Sequence, residues 1–222
     1  MTELIPLFPL GAVLYPGLVL PLHIFEDRYR LLVAELVARP DGAPRAFGVV
    51  AIRAGREVGA DGVLALHDVG CAAELRAVEQ YEDGRYDIVS TGARRFRLVA
   101  IDDSLPYLQG AVEWLDEPVG DAAPVLARSV ADSFADYRAE LADVQGFDED
   151  DDEIPADPTA LSYLVAAAMV LDLSDEQGLL SEPDTSSRLR RELGLLRREA
   201  AVLRELPSLP AVDYPRPPVS PN

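Results

Sequence analysis

The sequence predicts an α+β protein: a curled antiparallel sheet or partial barrel first, then a helical bundle. Three observations carry this. Up to about Pro118, short apolar stretches alternate with Pro, Gly and charged turns. Only one helical stripe interrupts them. After Pro118 the apolar residues recur at spacings of three and four. The expected layout is a β domain over 1–118, a helical domain over 119–207 and an extended, proline-rich tail over 208–222.

The opening pieces, "ELIPLF" and "AVLYPGLVLPL", are apolar and strand-length, and prolines recur through them. Proline has no N–H for the ladder, so these pieces are expected at sheet edges or as bent strands. "FEDRYRLLVAELVARPDG" then changes the period. Tyr29, Leu32, Val33, Leu36 and Val37 form one helical stripe, Glu26 and Asp27 suit its first turn, and Pro40 and Gly42 mark its end. Strand patterns return in "AFGVVAI", "GVLALHDVG", "CAAELRAVEQY", "RYDIVSTG", "RRFRLVAID" and "YLQGAVEWLDE", with "EDG" (82–84) as a turn. In "RRFRLVA", Phe96 and Leu98 alternate with Arg95 and Arg97, which places the two arginines on a shared outer face. Gly11, Gly48, Gly59, Gly62 and Gly92 sit at or beside strands, where curvature costs little.

In the second half, Val130, Phe134, Tyr137, Leu141 and Val144 make a helical stripe stopped by Gly146. "DEDDDE" (148–153) repels itself and is expected as a solvated loop. "DPTALSYLVAAAMVLDL" begins with Asp157 as N-cap and Pro158 in the first turn. Ser174 and Gln177 have the spacing of a capping box. Leu189, Leu193, Leu196, Ala200 and Leu203 form the stripe of a last, arginine-rich helix.

Composition narrows the function. The formal charge is −19, and all 20 basic residues are arginines. Such acidity opposes general attraction to nucleic acid or anionic lipid. Without lysine these residues hold no Walker-type phosphate-binding lysine, Ser-Lys dyad or Schiff base. Cys71 stands alone, which excludes an intrachain disulfide and suits a reducing compartment. The start lacks a signal-peptide pattern. The longest late apolar run, "ALSYLVAAAMVLDL", falls short of the roughly 20 residues of a membrane span. A cytoplasmic, soluble protein is expected.

Chemical constellations are sparse. His23 beside Glu26 and Asp27 lacks a metal-ligand pattern and reads as a structural histidine at a strand-to-helix corner. His67 and Cys71 read as residues of adjacent strands rather than a nucleophilic pair. "DEDDDE" lacks the glycine and spacing of an EF-hand. Arg94, Arg95 and Arg97 could form a phosphate-binding stripe, but carboxylate partners are abundant. Tyr15 and Phe25 flank proline turns and, with Tyr29, form a candidate peptide-binding surface, while core packing is the competing reading for these aromatics.

The segment "PLFPLGAVLYPGLVLPLHIFEDRYRLLV" resembles the start of the N-terminal, substrate-binding domain of Lon proteases. "DGRYDIVSTGARRFRL" and "DEQGLLSEPDTSSRLRREL" continue the likeness, the latter through Gln177, Leu179, Leu180, Asp184, Arg188 and Leu189, with departures at Gly178 and Ser181. The resemblance implies a PUA-like β pseudo-barrel followed by helices, and a part in recognising protein substrates. It implies no catalytic residue, cofactor or metal. It casts the chain as a free-standing relative without ATPase and peptidase domains. Pro9, Pro16, Gly17 and Pro21 are then expected to set turns, Phe25 to anchor the corner, Glu26 to accept hydrogen bonds at the helix start and Arg28 to pair with a carboxylate. The expected function is a non-catalytic protein- or peptide-binding module, with service as an adaptor in protein quality control as its expected setting. An RNA-binding PUA-like protein and an enzyme of unknown reaction are the alternatives.

Overall fold

The computed structural model describes residues 2–40, 42–55, 63–145 and 154–205. The expectations for Gly59, Gly62, Gly146, "DEDDDE" and the 208–222 tail lie outside the described residues. Seven strands come first: β1 (Glu3–Leu10), β2 (Val19–Ile24), β3 (Ala46–Gly55), β4 (Val63–Leu66), β5 (Val69–Gln80), β6 (Tyr86–Asp102) and β7 (Gln109–Trp114). One helix, α1 (Asp27–Val37), lies between β2 and β3. The second half is helical: α2 (Ala123–Gln145), α3 (Pro158–Ala168), α4 (Leu173–Leu180) and α5 (Thr185–Glu205). The chain is therefore α+β, sheet first and helices second.

The strands pair in the order β1-β7-β6-β5-β3-β4, β2 adds to β6, and β1 also pairs β3. The β1–β3 pair is parallel, unlike its neighbours, and this departs from the all-antiparallel expectation. The reason lies in β1 itself. Glu3–Pro6 pairs with β7, then Leu7–Leu10 changes partner to β3. A parallel pair needs a long crossover, and β2 with α1 supplies it. Each half of β1 thus has one ladder partner, which is how a strand holding Pro6 and Pro9 stays in the sheet.

The two segments expected around Gly92 are one 17-residue strand, β6. Gly92 is not a turn; it is where the Tyr15 backbone crosses β6. Gly17 N donates to Gly92 O (2.8 Å), and Gly92 N donates to Leu18 O (2.8 Å). A Cβ on Gly92 would sit 2.1 Å from Tyr15 O. The crossing loop turns at Pro16–Gly17, where Gly17 has φ +84°, as a type II turn requires.

The helix α1 buries Tyr29, Leu32, Val33 and Leu36 against β2, β3 and β5. Burial of each such side chain contributes about 1.5–3 kcal/mol. Val37, the fifth residue of the expected stripe, is exposed. A second cluster, around Leu7, Val50, Phe96 and Val112, lies between strands. The third fills the helical half with Val130, Phe134, Tyr137, Leu161 and Leu196, and takes in Tyr15 and Val69 from the strand-rich half. The two halves share that core.

Helix starts follow local chemistry. The Asp157 carboxylate accepts from Ala160 N, with Pro158 following it. For α4 the cap is Asp172, accepting from Asp175 N, rather than Ser174, which lies inside the helix. Aspartate two residues earlier offers the better anionic acceptor. Gln177 is freed to cross to the sheet, where Nε2 donates to Val69 O (2.9 Å).

Candidate protein-binding surface

The corner between β2 and α1 is formed by Phe25 and Glu26. Glu26 is extended (φ −74°, ψ 136°) and precedes the helix. Its side chain makes no cap hydrogen bond; its carboxylate accepts from Arg28 Nε (3.1 Å) and Nη2 (3.0 Å). Glu26 thus accepts at the helix start from the Arg28 side chain and, at its carbonyl, from Tyr29 N (3.1 Å) and Arg30 N (2.9 Å), and it supplies the carboxylate expected for Arg28. The Arg28 guanidinium lies 4.4 Å over the Tyr29 ring, which stacks on Phe8 at 4.0 Å. Tyr29 is 4% exposed and forms part of a floor. Above it opens a recess of about 140 Å³ lined by Phe8, Pro9, Leu10, Leu22, Phe25 and Tyr29.

Phe25 is 52% exposed. It does not anchor the corner by burial, because the core beneath is already filled by Ile24 and Tyr29. Beside it stands a polar clamp. His23 Nδ1 lies 2.5 Å from Asp87 Oδ1, and Tyr81 OH donates to Asp87 Oδ2 (2.5 Å). Arg85 Nη1 approaches His23 Nε2 at 3.4 Å. Hydrogen bonds from Tyr81 and His23 hold the Asp87 carboxyl below its ordinary range. The same bond raises the Tyr81 hydroxyl above its own. The His23 and Phe25 rings stack with centroids 6.3 Å apart. An apolar edge and a hydrogen-bonded carboxylate thus lie side by side at the end of the sheet.

The sequence-selected aromatics are not brought together. Tyr15 is 2% exposed, and its hydroxyl donates to Glu176 O (2.9 Å). Burial, then Glu176 and Glu192, push that hydroxyl far above its ordinary range. Tyr15 and Tyr29 are core residues, so of the three Phe25 alone has its ring exposed. Pro9 lies in β1 opposite Val50 and Pro21 in β2 opposite Val89, so both are strand residues rather than turn residues. Pro16 and Gly17 form the expected turn.

The arginine stripe is also divided. Arg97 is exposed, but Arg95 is 2% exposed, because the helical half covers that part of the outer face. Alternation gave its face and could not give what lies on it. Arg95 Nε donates to Glu117 Oε2 (2.8 Å), and Nη1 donates to Leu180 O and Glu182 O (2.7 Å each). Arg188, fully buried, donates from Nη2 to Glu117 Oε1 (2.8 Å) and lies 3.9 Å over the Tyr163 ring. Tyr163 OH completes the knot on Glu117 Oε2 (2.7 Å). Burial pushes the Glu117 carboxyl upward, but hydrogen bonds from Arg188 and Tyr163 and both guanidinium charges outweigh it, and the group is held low. The knot fixes the sheet to α3, α4 and α5. A cleft of about 390 Å³ runs beside it between the halves, past Pro16, Arg94, Asp116, Thr159 and Tyr163. Glu117 carried no distinguishing sequence signal, and Arg188 stood out solely through the family-like "RLRREL".

Other reactive groups are quiet. Burial pushes the Cys71 thiol up to about 12, so it is protonated at neutral pH. Burial and Arg53 lower His67. Among the described residues no group of three or more His, Cys, Asp or Glu could hold a metal ion, and no helix is long and apolar enough to cross a membrane.

Residues 4–198 match the family model of the ATP-dependent protease La (LON) substrate-binding domain. The chain belongs to that family. It is similar to Lon protease 2 of Myxococcus xanthus, 26% identical over 213 residues, covering 91% of this chain and 24% of that protein. It is also 26% identical over 212 residues to Lon protease of Escherichia coli (strain K12), covering 90% of this chain and 25% of that one. The LON-family chain therefore spans about a quarter of the length of these relatives. Its fold resembles the crystal structure of a Lon N-terminal domain protein from Xanthomonas campestris, with a TM-score of 0.60 and 23% identity over 86% of this chain and 98% of that one. It also resembles the N-terminal domain of Mycobacterium avium complex Lon protease, with a TM-score of 0.59 and 21% identity over 90% of this chain and 98% of that one.

Proposed function

We propose that this LON-family chain is a non-catalytic module that binds unfolded or partly folded polypeptide at the Phe25 corner. The carrying observation is Phe25 itself: a large aromatic held half in solvent over a mainly apolar recess, with Ile24 and Tyr29 buried beneath it. An exposed aromatic edge beside a pocket is the usual form of a binding hot spot. The adjacent Asp87 carboxylate would accept from a basic or amide group flanking the inserted side chain. Family membership and the names of the similar Lon proteases support a part in substrate recognition. The strand pairings, which run from β1 through β7, β6, β5 and β3 back to β1, support a PUA-like pseudo-barrel as the platform. The proposal extends to service as an adaptor in protein quality control in a reducing, cytoplasmic setting. Fluorescence anisotropy with a labelled, permanently unfolded protein tests it. Saturable binding, weakened at least about fivefold by Phe25→Ala, is expected. No binding, or binding indifferent to Phe25→Ala, overturns it.

A further inference from the structure

A second recess lies at the far end of β1, away from Phe25. Leu7 N donates to Leu108 O, on the β7 side. Alternation along the strand therefore turns the Leu4 N–H, the Leu4 carbonyl and the Pro6 carbonyl away from β7, and the parallel Leu7–Gly48 pairing takes up the Pro6 carbonyl. β3 joins that side only from the Leu7–Gly48 pair onward. Among the described residues no strand pairs with Leu4 on that side. The open edge borders a cavity of about 350 Å³, with Ile5, Phe47 and Ala72 at its floor and Leu4 and Trp114 at its wall.

The lining of this cavity carries two arginines and two glutamates, a balanced set in a strongly acidic molecule. Arg39 and Arg94 both line it. Arg39 Nη1 donates to the neutral Pro44 carbonyl (2.6 Å). Arg94 lies 5.5 Å over the Trp114 ring, with Nε on Leu115 O (3.3 Å) and the exposed Asp116 carboxylate 3.6 Å from Nη2. Each guanidinium has five donors, so most remain to be used. The two carboxylates nearby are already engaged: Glu3 accepts from Trp114 Nε1 (2.7 Å), and Glu74 pairs with Arg76 (2.7 Å). Open strand edge, apolar floor and guanidinium rim together match one ligand chemistry.

We propose that this recess binds the free C-terminus of an extended polypeptide whose last residue is apolar. The peptide main chain adds to the Leu4 edge, the terminal side chain enters the recess, and the terminal carboxylate lies between Arg39 and Arg94. This deepens the protein-binding reading and rests on it, but it uses a different surface.

The test uses the full chain and fluorescein-labelled peptides of about ten residues ending in Val, Leu or Phe, each made as free acid and as C-terminal amide. Anisotropy should show the acid binding at least about tenfold tighter than the amide. The double variant Arg39→Gln/Arg94→Gln should bring acid and amide within about twofold of each other while its thermal melt stays cooperative. Ala46→Phe, which fills the mouth, should weaken the acid form, and Phe25→Ala should leave the acid preference intact. Equal binding of acid and amide overturns the inference, as does an acid preference that survives the double variant. If no peptide binds but an unfolded protein still binds through Phe25, this inference falls and the proposed function stands. If neither binds, both fall.

Discussion

Removing the Glu117 carboxylate should destabilise the whole chain, not just one half. In Glu117→Ala the Arg95 and Arg188 guanidiniums, with side chains 1% and 0% exposed, lose the one carboxylate they share. Neutral acceptors remain: Leu180 O and Glu182 O for Arg95, Ser162 Oγ and Leu179 O for Arg188. Breaking a buried ion pair by deleting one partner typically costs about 3–5 kcal/mol. The Glu117 side chain is 32% exposed, so water can partly replace it, and the expected cost lies near the lower bound of about 3 kcal/mol. For a chain of this size that corresponds to a Tm lower by about 6–12 °C. Urea denaturation should show the midpoint shifting with the slope unchanged. The pH dependence has a definite sign. A carboxyl held low in the fold contributes stability above its unfolded value, and that contribution is lost as pH falls through the folded value. The gap between wild type and variant should therefore close below about pH 4.5. A loss under about 1 kcal/mol, the worth of an exposed surface pair, would refute the reasoning.

Three further outcomes follow. Glu192 is fully buried, with no partner at either oxygen among the described residues, and burial raises its carboxyl well above 4.5. Above pH 4.5 the unfolded chain ionises first, so this group lowers stability as pH rises; Glu192→Gln should gain on wild type between pH 4.5 and 8 in urea melts, and a constant difference would refute this. Gly92→Ala should cost at least about 2 kcal/mol because its Cβ meets the Tyr15 carbonyl, whereas Gly194→Ala, open on α5, should gain about 0.5–1 kcal/mol; thermal melts separate them. Tyr29→Ala should cost about 3–5 kcal/mol, while Phe25→Ala should stay within about 0.5 kcal/mol, so a binding defect in the latter reports on the surface rather than on folding.

The period of the apolar residues made the α+β order, the α1 stripe, α2 and α5 legible, since each rests on neighbours within a few turns, while α3 was marked by its Asp157–Pro158 start and α4 by a capping pattern set two residues past the true cap, Asp172. Non-local choices were not. The parallel β1–β3 pair depends on β1 changing partner at Pro6–Leu7, and nothing local in "ELIPLF" records a second partner. Gly92 looked like a boundary, but its meaning comes from Tyr15, 77 residues earlier by numbering, crossing over it. Alternation put Arg95 on the outer face and could not show that the end of α4 and the turn after it lie there. The junction ion pairs link positions 22 and 71 residues apart in a chain crowded with carboxylates, so no spacing marked Glu117 among the rest. At the candidate surface, hydrophobicity selected Tyr15, Phe25 and Tyr29 alike. Only the packing separates the exposed ring from the two buried ones.

The central claim is that the chain meets polypeptide at the Phe25 corner. The most direct measurement is a two-dimensional NMR titration of the ¹⁵N-labelled chain with an unfolded protein, reading each backbone amide. Shifts centred on Leu22–Glu26 and Arg85–Asp87, and absent in Phe25→Ala, are expected. Shifts confined to the helical half, with the β2–α1 corner unmoved, would contradict the account.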